Sequence, residues 1–229
     1  MKITWLGQAG LLFESETIRI LVDPYLSDSV AKTMPQNARR IPVDETFLSV
    51  KPDVLLLTHD HLDHTDPETL VRYFTEDAPI AILASAAAWA RVRPMLKGQN
   101  PVYMTPGTVW TEKGVTFYAL PAAHSEPTAV GFLIDDGEKT YYITGDTLYH
   151  FDVIDAVRAI CPDGPDVVFL PINGVGNNMN MTDAADFAAE IGAKTVVPLH
   201  FGLFDHLDPT EMQAENKIIP TPFREITLP

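Results

Sequence analysis

The segment Thr58-His59-Asp60-His61-Leu62-Asp63-His64 constrains this chain more than any other. It follows directly on an apolar run, Asp53 to Leu57, that reads as a strand, and it packs imidazoles and carboxylates into consecutive positions. Buried imidazoles and carboxylates each need a partner or a metal, so packing alone does not account for the cluster. A strand delivers such a segment to an edge of a sheet, and the turn that follows can bend several side chains toward one point, which is how a metal site is assembled. Imidazole with carboxylate suits zinc, manganese or iron, and the lack of thiolate removes the soft-ligand sites. The sole cysteine, Cys161, precedes Pro162 without a helix start that would depress its pKa. It reads as a small buried apolar residue or an inert thiol, and alone it cannot form an internal disulfide.

Around this segment the chain alternates short strands with helices. Strands are predicted over Lys2 to Leu6, Gly10 to Glu14 and Ile18 to Val22, a meander closed by tight turns. Further strands are expected at Asp53 to Leu57, Ile80 to Ala84, Val102 to Thr105, Val115 to Leu120, Ala129 to Ile134, Lys139 to Thr144, Asp166 to Leu170 and Lys194 to Leu199. Helices are expected at Pro67 to Phe74, Ser85 to Leu96, Phe151 to Ile160, Thr182 to Ile191 and Pro209 to Lys217, several opened by a Ser, Asp or Thr cap or by proline in the first turn. Asp135-Asp136-Gly137-Glu138 joins two strands as a hairpin turn; the later oxygen ligands of a calcium loop are missing. Asp28 to Asp44 lacks periodicity, as functional loops often do. The reading is one α/β domain spanning residues 1–229, without a linker.

Charge narrows the partners. Sixteen Lys plus Arg against 31 Asp plus Glu give a formal charge of −15, and no basic stripe gathers the cations, which disfavours nucleic acid. No apolar run approaches the ~18 residues of a membrane span, and the N-terminus lacks the basic and apolar regions of a signal peptide. A cytoplasmic protein acting on a small-molecule substrate, free to form homo-oligomers, is expected.

His59-Asp60-His61-Leu62-Asp63-His64 resembles the His-X-His-X-Asp-His motif of the metallo-β-lactamase superfamily. The resemblance continues in order through Asp23-Pro24, His124, Asp146 in Thr144-Gly145-Asp146-Thr147, and His200 in Val197-Pro198-Leu199-His200. It implies a four-layer αββα sandwich, two packed sheets flanked by helices, α/β in class and α+β by some schemes. It also implies two divalent ions, zinc or manganese with iron as a further choice: His59, His61 and His124 on one, Asp63, His64 and His200 on the other, Asp146 bridging. A bridging carboxylate is compatible with the ~3.5–4 Å separation of two-metal sites, where a shared water ionises near neutral pH. Asp63 would double as proton shuttle, with Asp63 and Asp146 the catalytic pair. Asp23 and Asp60 are read as acceptors that fix imidazole tautomers, and Thr58 as the anchor of the turn.

Within the superfamily, Trp5-Leu6-Gly7-Gln8-Ala9-Gly10 and Val22-Asp23-Pro24-Tyr25-Leu26-Ser27-Asp28 most resemble the branch containing L-ascorbate-6-phosphate lactonase, whose members are distinctly longer. That resemblance implies opening of a lactone or ester, a phosphorylated sugar lactone among the candidates; a phosphodiesterase on the same metal centre and a non-hydrolytic di-metal redox or binding protein are the alternatives. Candidate substrate contacts are Arg39 and Arg40, the only adjacent basic pair and able to bind an anionic group, although loop arginines more often serve solubility. Asn173, Asn177 and Asn178, in and beside the loop Gly174-Val175-Gly176-Asn177-Asn178-Met179, and His206 at the pocket mouth complete the set. His150 reads as a helix-start or surface histidine.

Overall fold

A computed structural model describes residues 1–77 and 79–229. In chain order the strands are β1 (Lys2–Gly7), β2 (Gly10–Glu14), β3 (Arg19–Val22), β4 (Val54–Leu57), β5 (Ala81–Ala84), β6 (Asn100–Tyr103), β7 (Val109–Glu112), β8 (Val115–Pro121), β9 (Val130–Asp135), β10 (Thr140–Ile143), β11 (Val167–Pro171), β12 (Val196–Leu199) and β13 (Arg224–Glu225). The helices are α1 (Pro67–Leu70), α2 (Ala86–Val92), α3 (Phe151–Ile160) and α4 (Met181–Glu190). One sheet has the order β13-β1-β2-β3-β4-β5-β6 and the other β12-β11-β10-β9-β8-β7.

The central strands of the first sheet, β2 to β5, bury apolar side chains on both faces because both faces are covered. Val54, Leu56, Ile20, Val22, Leu11 and Phe13 point into a core shared with Phe117, Phe132, Tyr142 and Phe169 of the second sheet. Their neighbours Leu55, Leu57, Leu21 and Leu12 point the other way, onto Leu70, Tyr73, Phe74, Ala88 and Val92 in and after α1 and α2. Val153, Ile154 and Val157 of α3, with Ala184 and Phe187 of α4, pack on the second sheet from outside. The result is the expected four-layer sandwich of the metallo-β-lactamase fold. Among the described residues, no helix is long and apolar enough to cross a membrane.

Where the structure departs from the sequence reading, a local cause is visible. The helix expected over Ser85 to Leu96 becomes α2 and then a 3-10 turn, Arg93–Met95, because Pro94 lacks the N–H that an α-helix requires. The helix expected over Pro67 to Phe74 is α-helical only to Leu70. Pro209 to Lys217 forms a single 3-10 turn, Pro209–Glu211. Its remainder runs beside β12, where Val196 N donates to Asn216 O and Ile218 N donates to Val196 O, so pairing with the sheet displaces the helix. The strand expected at Val102 to Thr105 lies at Asn100–Tyr103, and β7 and β13 were not anticipated. The Asp136-Gly137 turn does join antiparallel β9 and β10, with Gly137 at φ +85.

Candidate metal centre

Strand direction puts the donors in one place. β3, β4 and β5 are parallel and β1 runs with them, two antiparallel pairings away; in the second sheet β10, β11 and β12 are parallel, and β8 runs with them through β9. The residues that follow β1, β3, β4, β8, β10, β11 and β12 are Gln8, Asp23, Thr58 to His64, His124, Asp146, Asn173 and His200. All of them meet at one edge of the sandwich. Gln8, Asp23 and His200 occupy left-handed backbone conformations, φ +50, +38 and +60, which non-glycine residues seldom adopt away from functional sites. Gly145 (φ +61) precedes Asp146, and a Cβ there would lie 2.9 Å from Thr58 Cβ, so only glycine lets the aspartate loop pass the histidine turn.

Two groups of donors result, His59 with His61, His124 and Asp146, and Asp63 with His64 and His200; within each, the donor atoms lie within 4.8 Å of one another. In the first group the tautomers follow from the hydrogen bonds. Thr58 Oγ1 donates to Asp23 Oδ2 at 2.5 Å, so its lone pairs are left to accept from His59 Nδ1 at 3.0 Å. His59 Nε2 then carries a bare lone pair, and it is fully buried with no hydrogen-bond partner. His124 Nδ1 faces the backbone oxygen of Asn177 at 3.3 Å, which turns its Nε2 toward His61 Nδ1, 3.2 Å away.

Carboxylates and amides surround the second group. Asp23 Oδ2 accepts from His64 Nδ1 at 2.8 Å. His64 Nε2 lies 3.4 Å from His200 Nε2 and 3.3 Å from Asp146 Oδ1, while His200 Nε2 lies 3.3 Å from both Asp63 Oδ2 and Asp146 Oδ2. The amide nitrogen of Asn173 sits 2.9 Å from His200 Nδ1, and its buried Oδ1 is without a partner. Turning the amide over, an assignment that the hydrogen-bond network decides, lets that oxygen accept the Nδ1 proton and leaves His200 Nε2 free to face the cluster.

The electrostatics divide the groups. Burial pushes His59 well below the usual histidine range, helped by His64, and burial likewise lowers His124. Burial also opposes charge on His64 and His200, yet Asp146 and Asp63 outweigh it and raise both, His200 to about 9. Desolvation opposes charge on Asp146 and Asp63 too, but the neighbouring imidazoles hold both carboxyls below their ordinary range. An orphaned buried nitrogen, ring nitrogens opposed at 3.2 and 3.4 Å, and two ionised carboxylates between them form a donor set that a cation satisfies. The residues present fit metal.

The other predicted residues divide. Asp23 reaches His64 directly and Thr58, read as the anchor of the turn, instead accepts from His59, whereas Asp60 meets no imidazole: its Oδ2 pairs with Arg91 at 2.8 Å. Arg39 donates to the backbone oxygens of Tyr25 (2.7 Å) and Ile41 (3.2 Å) and lies over the Tyr25 ring, and Arg40 donates to Asp205 O. They line a cavity of about 490 Å³ with Asp28, Glu45 and Glu68, and no metal-donor residue lines it. Asn177 brings its backbone rather than its amide to His124, Asn178 is buried, and His206 is exposed. His150 caps α3 by accepting from Asp152 N. The residue not anticipated is Gln8, which stands in the sequence only as one position of Trp5-Leu6-Gly7-Gln8-Ala9-Gly10 with no role of its own; the available signal was a lone polar side chain in that apolar and glycine-rich segment.

The Beta-lactamase superfamily domain matches residues 18–201, and the chain belongs to that family. A UPF0173 metal-dependent hydrolase of Thermoplasma acidophilum is 30% identical over 226 residues, covering 93% of this chain and 90% of the relative. Two solved structures share the fold: a metallo hydrolase of the hyperthermophilic archaeon Ignicoccus hospitalis (TM-score 0.77, 20% identity, 100% of this chain and 98% of that one) and an isothiocyanate hydrolase from Delia radicum gut bacteria (TM-score 0.76, 18% identity, 100% and 99%). The chain is thus a metal-dependent hydrolase of the metallo-β-lactamase fold.

Proposed function

We propose that the chain is a dinuclear hydrolase that opens a lactone or other ester, with phosphorylated sugar lactones among the substrates. The observation that carries this reading is the pair of donor groups with Asp146 between them, within 3.3 Å of His64 and His200 Nε2 and 3.9 Å of His59 Nε2. His59, His61 and His124 would hold one ion, Asp63, His64 and His200 the other, and Asp146 would serve both. When bound, such ions acidify water and polarise a carbonyl.

The chain supplies the rest. Asp23, through Thr58 and directly, keeps His59 and His64 in the tautomers that present Nε2 inward. Asp63 is the only carboxylate of the site with appreciable exposure, 17% of its side chain. In this reading Asp63 takes the proton of the attacking water and returns it to the leaving alkoxide. The loop that carries Asn177 is held against His124.

Elemental analysis of protein reconstituted with zinc or manganese should give two ions per chain. Turnover should then appear in a panel of plain and phosphorylated lactones, with an isothiocyanate included as a different electrophile. One tightly bound ion, or hydrolysis of the isothiocyanate alone, would remove this reading.

A further inference from the structure

Gln8 belongs to neither donor group, yet its amide lies among them. Nε2 is 2.8 Å from Asp63 Oδ2 and 3.1 Å from each ring nitrogen of His200, and the residue is 2% exposed. The backbone is built to hold it there. At φ +50, Gln8 offers its carbonyl oxygen to Trp5 Nε1 at 3.0 Å and to His200 N at 3.1 Å, so main chain and side chain both reach across to the segment after β12.

A glutamine head can point hydrogen or oxygen at its neighbour. Asp63 Oδ2 is an ionised acceptor, and two oxygens 2.8 Å apart would repel, so the amide N–H faces it. Asn173 occupies His200 Nδ1 and the donor cluster takes Nε2, so the amide rests beside that ring without competing for either nitrogen. Asp63 follows β4 in one sheet and His200 follows β12 in the other. Gln8 touches both.

We propose that Gln8 is a positioning residue for the second donor group, fixing the Asp63 carboxylate by a charge-assisted hydrogen bond and setting its distance to His200. The proposal rests on the dinuclear reading above. It concerns affinity for one ion of the two and assigns Gln8 no contact with substrate.

The test is zinc titration of the metal-free full chain against a chromophoric chelator, repeated with cobalt for its visible spectrum. Gln8→Met, which keeps the volume, and Gln8→Ala should still bind two ions, with one of the two affinities loosened roughly 10–100-fold, the range for loss of a partner that orients a ligand. The other should stay within about threefold, and only one component of the cobalt spectrum should change. Gln8→Glu separates donor from ligand, because it keeps an oxygen but puts a second negative charge against Asp63. Weakening in Gln8→Glu is expected, whereas tightening would mean that the amide oxygen is itself a ligand and would overturn the proposal. Equal affinities in wild type, Gln8→Met and Gln8→Ala would overturn it as well, with the dinuclear reading intact. Fewer than two ions in the wild type would overturn both.

Discussion

The two donor groups are built from similar side chains and hold opposite attitudes to charge. His59 and His124 sit in a histidine-rich pocket where burial disfavours the proton, and His59 is oriented by a hydroxyl that is itself pinned by Asp23. Asp63, His64 and His200 are interleaved with carboxylates that favour positive charge on the imidazoles. Both His59 and His64 depend on Asp23, so the difference comes from what faces the inner nitrogen and not from what holds the outer one. In the first group His59 and His124 refuse the proton; His64 and His200 of the second draw positive charge of any kind, protons included.

Removing what the groups share should have the largest effect. Asp146→Ala is expected to lower kcat by roughly a thousandfold or more while the fold persists, since Asp146 lies outside the apolar core. Wild-type turnover in a folded Asp146→Ala protein would separate the groups altogether. A smaller change should touch the first group more than the second. Thr58→Val removes the acceptor of His59 Nδ1 and is expected to weaken the ion on His59, His61 and His124 roughly 10–100-fold, as read by chelator competition. Equal weakening at both groups would show that Asp23, and not the hydroxyl, was the element disturbed.

The groups should also pull the metal-free protein apart at opposite ends of the pH scale. His200 is raised from 6.5 to about 9, so its favourable contribution is complete below 6.5 and is lost as pH rises through 9. His59 is depressed, so below 6.5 the unfolded chain takes up a proton that the folded one refuses, and stability falls toward acid. Thermal melts of metal-free protein should therefore peak near pH 6 to 7, dropping by roughly 5 °C by pH 9, with the alkaline arm abolished in metal-loaded protein. A flat alkaline arm without metal would remove the contrast between the groups.

Much of this was readable beforehand, for physical reasons. Strands buried on both faces, such as Val54–Leu57, announce themselves by composition, and a metal-binding turn compresses its donors into consecutive residues. What stayed hidden depends on distant pairing. Nothing local marks Arg224–Glu225 as a strand until β1 is beside it, and the segment after Glu211 looks helical until Val196 claims its backbone. Asn173 was legible as polar and near the site, but its service to His200 required β11 and β12 to be adjacent.

The smallest expected effect lies outside both groups. Arg39 and Arg40 are tied to backbone oxygens, so alanine at both positions should reduce turnover of phosphorylated and plain lactones by the same factor, within about threefold. A loss of tenfold or more confined to the phosphorylated substrate would instead make the pair part of an anion site and extend the metal centre toward the Asp28 to Asp44 loop.

The meeting of strand ends at one edge has a consequence for the life of the chain. A cation held by His59, His61 and His124 clasps the turn after β4 to the loop after β8, and one held by Asp63, His64 and His200 clasps that same turn to the end of β12. Each clasp crosses from one sheet to the other. Because a ligand that binds only the folded form stabilises it by mass action, about 2.7 kcal/mol at a hundred times its Kd, the loaded protein should resist proteases far longer than the stripped one. Scarcity of metal would then be registered first as abundance, through faster turnover of the polypeptide, before any catalytic rate is measured.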